Sequence, residues 1–322
     1  MQNRSMSESK LTTEQQISSI WNLGGLRPKE LAKEVWKEIN HDNVFGLAAG
    51  LAYNFLMAIF PLLLFLVALF GFFASEGTQL RDSLFYYFSQ VLPPAAYDLV
   101  TKTIEEVTRN ASGGKLTFGL LFALWSASGG MSTLISALND AYHVRETRSW
   151  MKVHTIAVGL TVAISALVIS ALFLVLVGGH LAPFIGAKLH MGHAFVIAWK
   201  IIQFIAALFF IVFAFSLIYY FGPDVREQHW YWITPGSLIG VLLWITASFA
   251  FRLYLHYFNS YSKTYGSLGA VIILLLWFYV TGLAFMVGGE VNAEIEHAAA
   301  ERGHPEAKAE GEKESPEGKK AA

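Results

Sequence analysis

Residues 48–66 read AAGLAYNFLMAIFPLLLFL. The stretch has no charged side chain and is about as long as the ~20 residues an α-helix needs to cross a ~30 Å hydrocarbon layer. It also carries Gly50, Asn54 and Pro61, which a plain lipid anchor does not need. The chain around it has the same character. Of 322 residues, 54% are hydrophobic and 15% charged, and mean hydropathy is +0.46. Soluble domains carry about 25% charged residues, so this chain has to hide apolar surface in lipid. Net charge is −1, which marks out no polyanion partner and no nucleic acid. Without cysteine there is neither a disulfide framework nor thiolate chemistry.

Working outward from residues 48–66, six apolar runs are long enough to span: about 45–74, 116–139, 153–178, 194–221, 233–258 and 268–291. The predicted fold is all-α, a polytopic membrane protein with six transmembrane helices over 43–297. A cytoplasmic N-terminal segment, 1–42, precedes them, and a polar tail, 298–322, follows. Residues 1–42 contain no apolar core with a small-residue cleavage site, so the first span is expected to stay uncleaved. An even number of spans puts both termini on one side. Fifteen Lys and Arg fall in the segments on that side against six in the opposite loops, which predicts both termini in the cytoplasm. Trp230, Tyr231 and Trp232 suit an interfacial aromatic belt, and Thr234-Pro235 reads as an N-cap followed by a first-turn proline.

The irregular residues of the first span share a side. Gly46, Gly50, Asn54 and Ala58 recur every four residues and form a small or polar row. Rows of this kind let helices approach closely in lipid. Pro61 frees the carbonyl of Met57, which then needs another partner. Two readings stay open, a packing seam with a kink and a substrate-facing wall. In the second span Ser126, Gly129, Gly130, Thr133, Ala137 and Asp140 make a similar stripe, with Asp140 expected to pair with Arg145 or Arg148. In the fifth span Ser248, Arg252, His256 and Asn259 share a face. Arg252 is costly inside a bilayer, so it reads either as an inward anion site or as a side chain snorkelling to the headgroups. The sixth span starts after Tyr265, Gly266 and Gly269 and ends at Gly288, Gly289 and Glu290. Its paired glycines suit close approach. Glu290 is expected to form an ion pair or to couple a proton.

Outside the spans, residues 28–40 predict an amphipathic helix with Leu31, Val35 and Ile39 on one face and Lys29, Lys33 and Lys37 on another. It would lie on the inner leaflet or cap the bundle. Residues 75–115 predict two short amphipathic helices on the outer surface. The tail has the composition of a disordered segment. No GxxxxGK[ST] motif is present, and no histidine spacing reads as a metal site, so neither a cofactor nor a metal is expected.

AAGLAYNFLMAIFPLLL, WSASGGMSTLISALNDAYHV, ITPGSLIGVLLW and YGSLGAVIILLLWFYVTGLAFMVGGEVNAE together resemble the YihY/BrkB family, in order, over about residues 30–297. The resemblance implies a six-helix protein of the bacterial inner membrane whose partners are membrane lipids. It also implies links with virulence and with lipid or lipopolysaccharide export. Some members have carried the label ribonuclease BN, but the residues here offer neither a zinc-hydrolase pattern nor a basic RNA surface. The function expected is therefore a transporter or flippase-like protein for an anionic lipid or similar amphipath, and the alternative is an envelope scaffold. Substrate-facing candidates are Asn54, Pro61, Arg252, His256 and Tyr265. No motif specifies a protein partner, and a homo-oligomer stays open.

Overall fold

The computed structural model describes residues 21–73, 85–86, 89, 101–102, 113–188, 193–225, 233–257 and 267–302. All regular elements among them are helical. A 3-10 turn, Leu23–Gly25, leads into α1, Pro28–His41, then α2, Val44–Phe73, and α3, Gly113–Ala141. The remaining helices are α4, Trp150–Lys188, α5, His193–Phe221, α6, Pro235–Tyr257, and α7, Ser267–Glu301. Five helices are long and apolar enough to span on their own, and a sixth is reached if α1 and α2 count as one bent pair. The segment 75–115 with its expected short helices, the aromatic trio 230–232, Tyr265, Gly266 and the tail beyond 302 lie outside the described residues.

The local signals behave as elementary chemistry requires. Pro28 opens α1, where its missing N–H costs nothing, and the Glu30 carboxylate accepts from the Arg27 N–H at 3.0 Å. Thr234 caps α6 reciprocally with Ser237. The Ser237 N–H donates to Thr234 Oγ1 at 3.1 Å, and the Thr234 N–H donates to Ser237 Oγ at 3.0 Å.

Six long helices, α2 to α7, pack mainly on their chain neighbours, and α7 packs on α2. The bundle is therefore a ring closed by its first and last members. Its buried side chains gather towards one end, formed by the start of α2 (Val44, Leu51), the end of α3 (Leu134, Leu138), the end of α5 (Phe215, Ile218, Tyr219) and the second half of α7 (Met286, Val291). Towards the other end large side chains such as Phe249, Leu253, Val271 and Ile272 stand exposed. On a polytopic chain this apolar exterior faces acyl tails.

The turn Leu23–Gly25 packs on the C-terminal part of α7, and the Arg302 guanidinium donates to the Gly24 carbonyl. Both described chain ends thus lie at one end of the bundle, called the terminal end below. The apolar face of α1, Leu31, Val35 and Ile39, is buried in the main core, while Lys29, Lys33 and Lys37 remain exposed. The helix caps the bundle with its apolar face, which removes that face from any contact with lipid. The same packing explains why α7 runs past the end of its apolar run. Val291, Ile295, Ala298 and Ala299 continue the buried stripe against α1 and the 3-10 turn.

The faces turned inward differ from the sequence expectation. Gly46 and Gly50 are exposed, and a Cβ at Gly50 would meet nothing within 4 Å. The buried face of α2 runs instead through Val44, Ala48, Leu51 and Ala52. Gly282 of α7 meets it, where a Cβ would stand 3.3 Å from the Ala48 carbonyl oxygen and from Leu51 Cβ. In α3 only one of the paired glycines is a contact. Gly130 faces Ala58 and Phe55 at 3.1 and 3.3 Å from its would-be Cβ, whereas Gly129 meets nothing.

Candidate functional site

The terminal end brings together most of the buried polar chemistry among the described residues. At its centre α6 crosses α7 on bare backbone. A Cβ on Gly288 would stand 2.7 Å from the Gly236 carbonyl oxygen. The Gly236 N–H donates to Asn292 Oδ1 at 3.0 Å, and the Tyr219 hydroxyl donates to the Phe285 carbonyl at 2.9 Å. Gly289 lets Leu138 of α3 approach, with a would-be Cβ contact of 2.7 Å. Glycines at 236, 288 and 289 are therefore the condition for three helices to meet here.

Beside this crossing Glu290 is fully buried, and neither carboxylate oxygen has a hydrogen-bond partner. The expected pairing with a cytoplasmic arginine does not occur. Glu38, Asp42 and Glu294 are its charged neighbours, all of the same sign as a carboxylate. Asp140 is exposed and bonds to neither arginine. Arg148 is committed elsewhere, because it lies within reach of better partners on its own loop and on α5.

That commitment is a knot in the loop after α3. Arg148 Nε and Nη2 donate to Glu146 Oε1 and Oε2 at 2.8 and 2.7 Å, a two-pronged pair. Nη2 also donates to the Gly222 carbonyl at 2.8 Å, placing positive charge at the C-terminus of α5. Asp224 accepts from the Thr147 N–H and hydroxyl at 2.8 and 2.6 Å, and its own N–H donates to Asn139 Oδ1 at 2.7 Å. Asn139 Nδ2 returns to Glu146 Oε2 at 2.9 Å. Burial would raise the Glu146 carboxyl, but donors from the Arg148 side chain and backbone and from Asn139 outweigh it and hold the group below its ordinary value. None of Glu146, Asp224 and Asn139 stood out in the sequence. The signal available was a short polar loop, ETRS, facing a GPD turn.

The second cluster sits at the elbow between α1 and α2, which bend by 65°. Asn43 adopts a left-handed φ of 51° there, a conformation asparagine tolerates. Glu38, His41 and Asp42 meet His143, which also has a left-handed φ, 50°, in the turn ending α3. The His143 ring stacks on His297 of α7 at 6.0 Å. Sequence spacing missed this group because its members are assembled from α1 and α3, 101 residues apart.

The other sequence candidates fall elsewhere. Asn54 is half-buried and donates to the Gly50 carbonyl of its own helix at 2.9 Å. Pro61 is half-buried within an unbroken α2. Arg252 is exposed on α6, in keeping with the snorkelling reading, Ser248 bonds back to the Trp244 carbonyl, and Asn259 lies outside the described residues. His256 lies in α6, and its side chain is outside the description.

The family description Virulence factor BrkB matches residues 35–312. The ribonuclease-like protein YfkH of Bacillus subtilis (strain 168) is 34% identical over 250 residues, covering 76% of this chain and 88% of that protein. A UPF0761 membrane protein of Cronobacter sakazakii is 30% identical over 274 residues, covering 82% and 87%. One from Xanthomonas oryzae pv. oryzae is 26% identical over 295 residues, covering 87% of this chain and 63% of the relative. No solved structure matches. A ring of apolar helices, with the four quoted motifs in order and a family match across most of the chain, makes this a multi-pass membrane protein that belongs to the BrkB family.

Proposed function

We propose that the protein moves an anionic amphipath, with a headgroup of the lipid-phosphate class, across the bacterial inner membrane, with both termini in the cytoplasm. The observation that carries this reading is the ring of six helices closed by α2 and α7, whose buried side chains gather, among the described residues, at the terminal end. On this reading the substrate passes between helices of the ring and the glycine-lined crossing at Gly236 and Gly288 acts as the closure. Arg252, exposed near the other end of α6, is a cation an anionic headgroup would meet. Asn54, Pro61, His256 and Tyr265 are the remaining substrate-facing candidates. With no nucleotide-binding loop in the sequence, movement is driven by an ion gradient or runs downhill. Glu290, buried and unpartnered, is the better placed of the two proton-coupling candidates, with Asp140 second.

The test is lipid scrambling in vesicles that contain the purified protein, read by chemical quenching of a fluorophore on phosphatidylglycerol or on phosphatidylcholine. The anionic probe is expected to cross faster than in empty vesicles, Arg252→Ala to slow it, and Arg252→Lys to restore part of the rate. If neither probe moves faster than in empty vesicles, transport is wrong and the scaffold reading takes its place.

A further inference from the structure

The elbow cluster has the donor set and spacing of a metal site. Glu38 and His41 come from the last turn of α1, Asp42 is the residue after it, and His143 arrives from the turn that ends α3. One ligand-type atom from each lies within 4.8 Å of all the others. His143 Nε2 is 3.0 Å from both Asp42 oxygens. His41 Nδ1 is 3.0 Å from Asp42 Oδ1 and 3.5 Å from Glu38 Oε2. A tetrahedral ion bound at about 2.0–2.1 Å separates its donors by about 3.3 Å. Three of the six edges of such a tetrahedron are therefore already near their bound length.

Charge points the same way. The carboxyl groups of Glu38, Asp42 and Glu294 each sit within electrostatic range of Glu290, and no arginine bonds any of them among the described residues. The nearby ammonium, Lys37, is 3.1 Å from Glu38 Oε1 and leaves Oε2 turned towards His41. Asp42 is nearly buried, while the His41 side chain is 69% exposed and opens a route for an ion.

We propose that Glu38, His41, Asp42 and His143 bind a divalent first-row transition metal of the zinc type. Two imidazoles with two carboxylates suit such an ion better than Mg²⁺ or Ca²⁺, which take all-oxygen shells. The ion ties the α1–α2 elbow to the turn after α3, and the stack of His143 on His297 carries that tie to α7. The site is independent of the transport reading.

The experiment uses the full chain, purified without a polyhistidine tag and stripped with chelator, then titrated calorimetrically with Zn²⁺, Co²⁺ and Mg²⁺. One Zn²⁺ per chain is expected, with Co²⁺ giving the visible absorption of a four-coordinate site and Mg²⁺ binding far more weakly. His41→Ala alters an exposed side chain, and His143→Asn keeps a residue that tolerates the left-handed backbone. Each is expected to weaken Zn²⁺ by at least about 100-fold, more than the ~10-fold expected of the outer neighbour variant His297→Ala. Zn²⁺ is also expected to raise the unfolding midpoint of the unaltered chain and not of the two ligand variants. No stoichiometric Zn²⁺ binding by the unaltered chain, full affinity in both ligand variants, or equal affinity for Mg²⁺ would each overturn the proposal.

Discussion

A single hydrogen on a glycine decides where helices of this protein meet. Gly288 and Gly236 touch backbone to backbone, and a methyl group would meet the Gly236 carbonyl and the Tyr219 ring at Gly288, or the Gly288 carbonyl and the Asn292 side chain at Gly236. Gly288→Ala is expected to lower stability by about 1–3 kcal/mol, the usual cost of overpacking. Gly50→Ala and Gly129→Ala, which point into open space, are expected to leave the unfolding midpoint in detergent unchanged or raise it slightly. Thermal unfolding of the three variants side by side checks this. Sequence reading flagged Gly46, Gly50, Gly129, Gly130, Gly288 and Gly289 alike. It had no means of ranking them, since the spacing of small residues shows that a face exists and not which neighbour occupies it. Arg252 is the same case. Its position in the span was readable, and the direction of its side chain was not.

Helices were legible in this chain because length and apolarity suffice to place a span. Rotation about each axis was not, because both the lipid-facing and the core-facing side of such a helix are apolar. Leu51 is buried and Met57 exposed on the same helix, with no polar stripe to tell them apart. The exception is α1, whose charged faces left Leu31, Val35 and Ile39 as the only apolar row, and that row is the buried one. Loops were the least readable, since the Glu146–Arg148–Asp224 knot depends on two turns meeting. Arg148 and Asp224 are nearly buried there, and loss of one partner of a buried pair costs about 3–5 kcal/mol. Arg148→Ala is therefore expected to destabilise the hairpin by about 2–4 kcal/mol, less than the full figure because Glu146 is partly solvated. The lowered Glu146 carboxyl contributes stability above its ordinary pKa of 4.5 and loses it as pH falls through the lowered value. Accordingly Glu146→Gln is expected to unfold at a lower temperature than the unaltered chain at neutral pH, with the gap closing in acid below pH 4.5.

The whole molecule is a closed ring whose chain ends lie together, with α7 against α2 and Arg302 on Gly24. The proximity of the described ends, Trp21 and Arg302, leads to the expectation of an even number of crossings. The chain has no cysteine, so single cysteines can be introduced without background. Thiol labelling from outside intact cells is expected to reach a cysteine in the 75–115 segment. It is expected to miss one at Trp21 and one at Glu301 until the membrane is opened. Labelling of Trp21 and Glu301 variants from opposite sides would refute the ring as the native arrangement.

α7 is one unbroken rod of 35 residues, about 52 Å at 1.5 Å per residue. A bilayer accounts for little more than half of it, and the remainder is docked on α1 and the 3-10 turn with no break between its tip and the crossing point. Anything that pulls or tilts the tip, whether a bound molecule or the polypeptide continuing beyond Arg302, reaches the Gly236–Gly288 contact directly. A shift of α1 or of the 3-10 turn is therefore expected to be felt at that contact through one rigid helix.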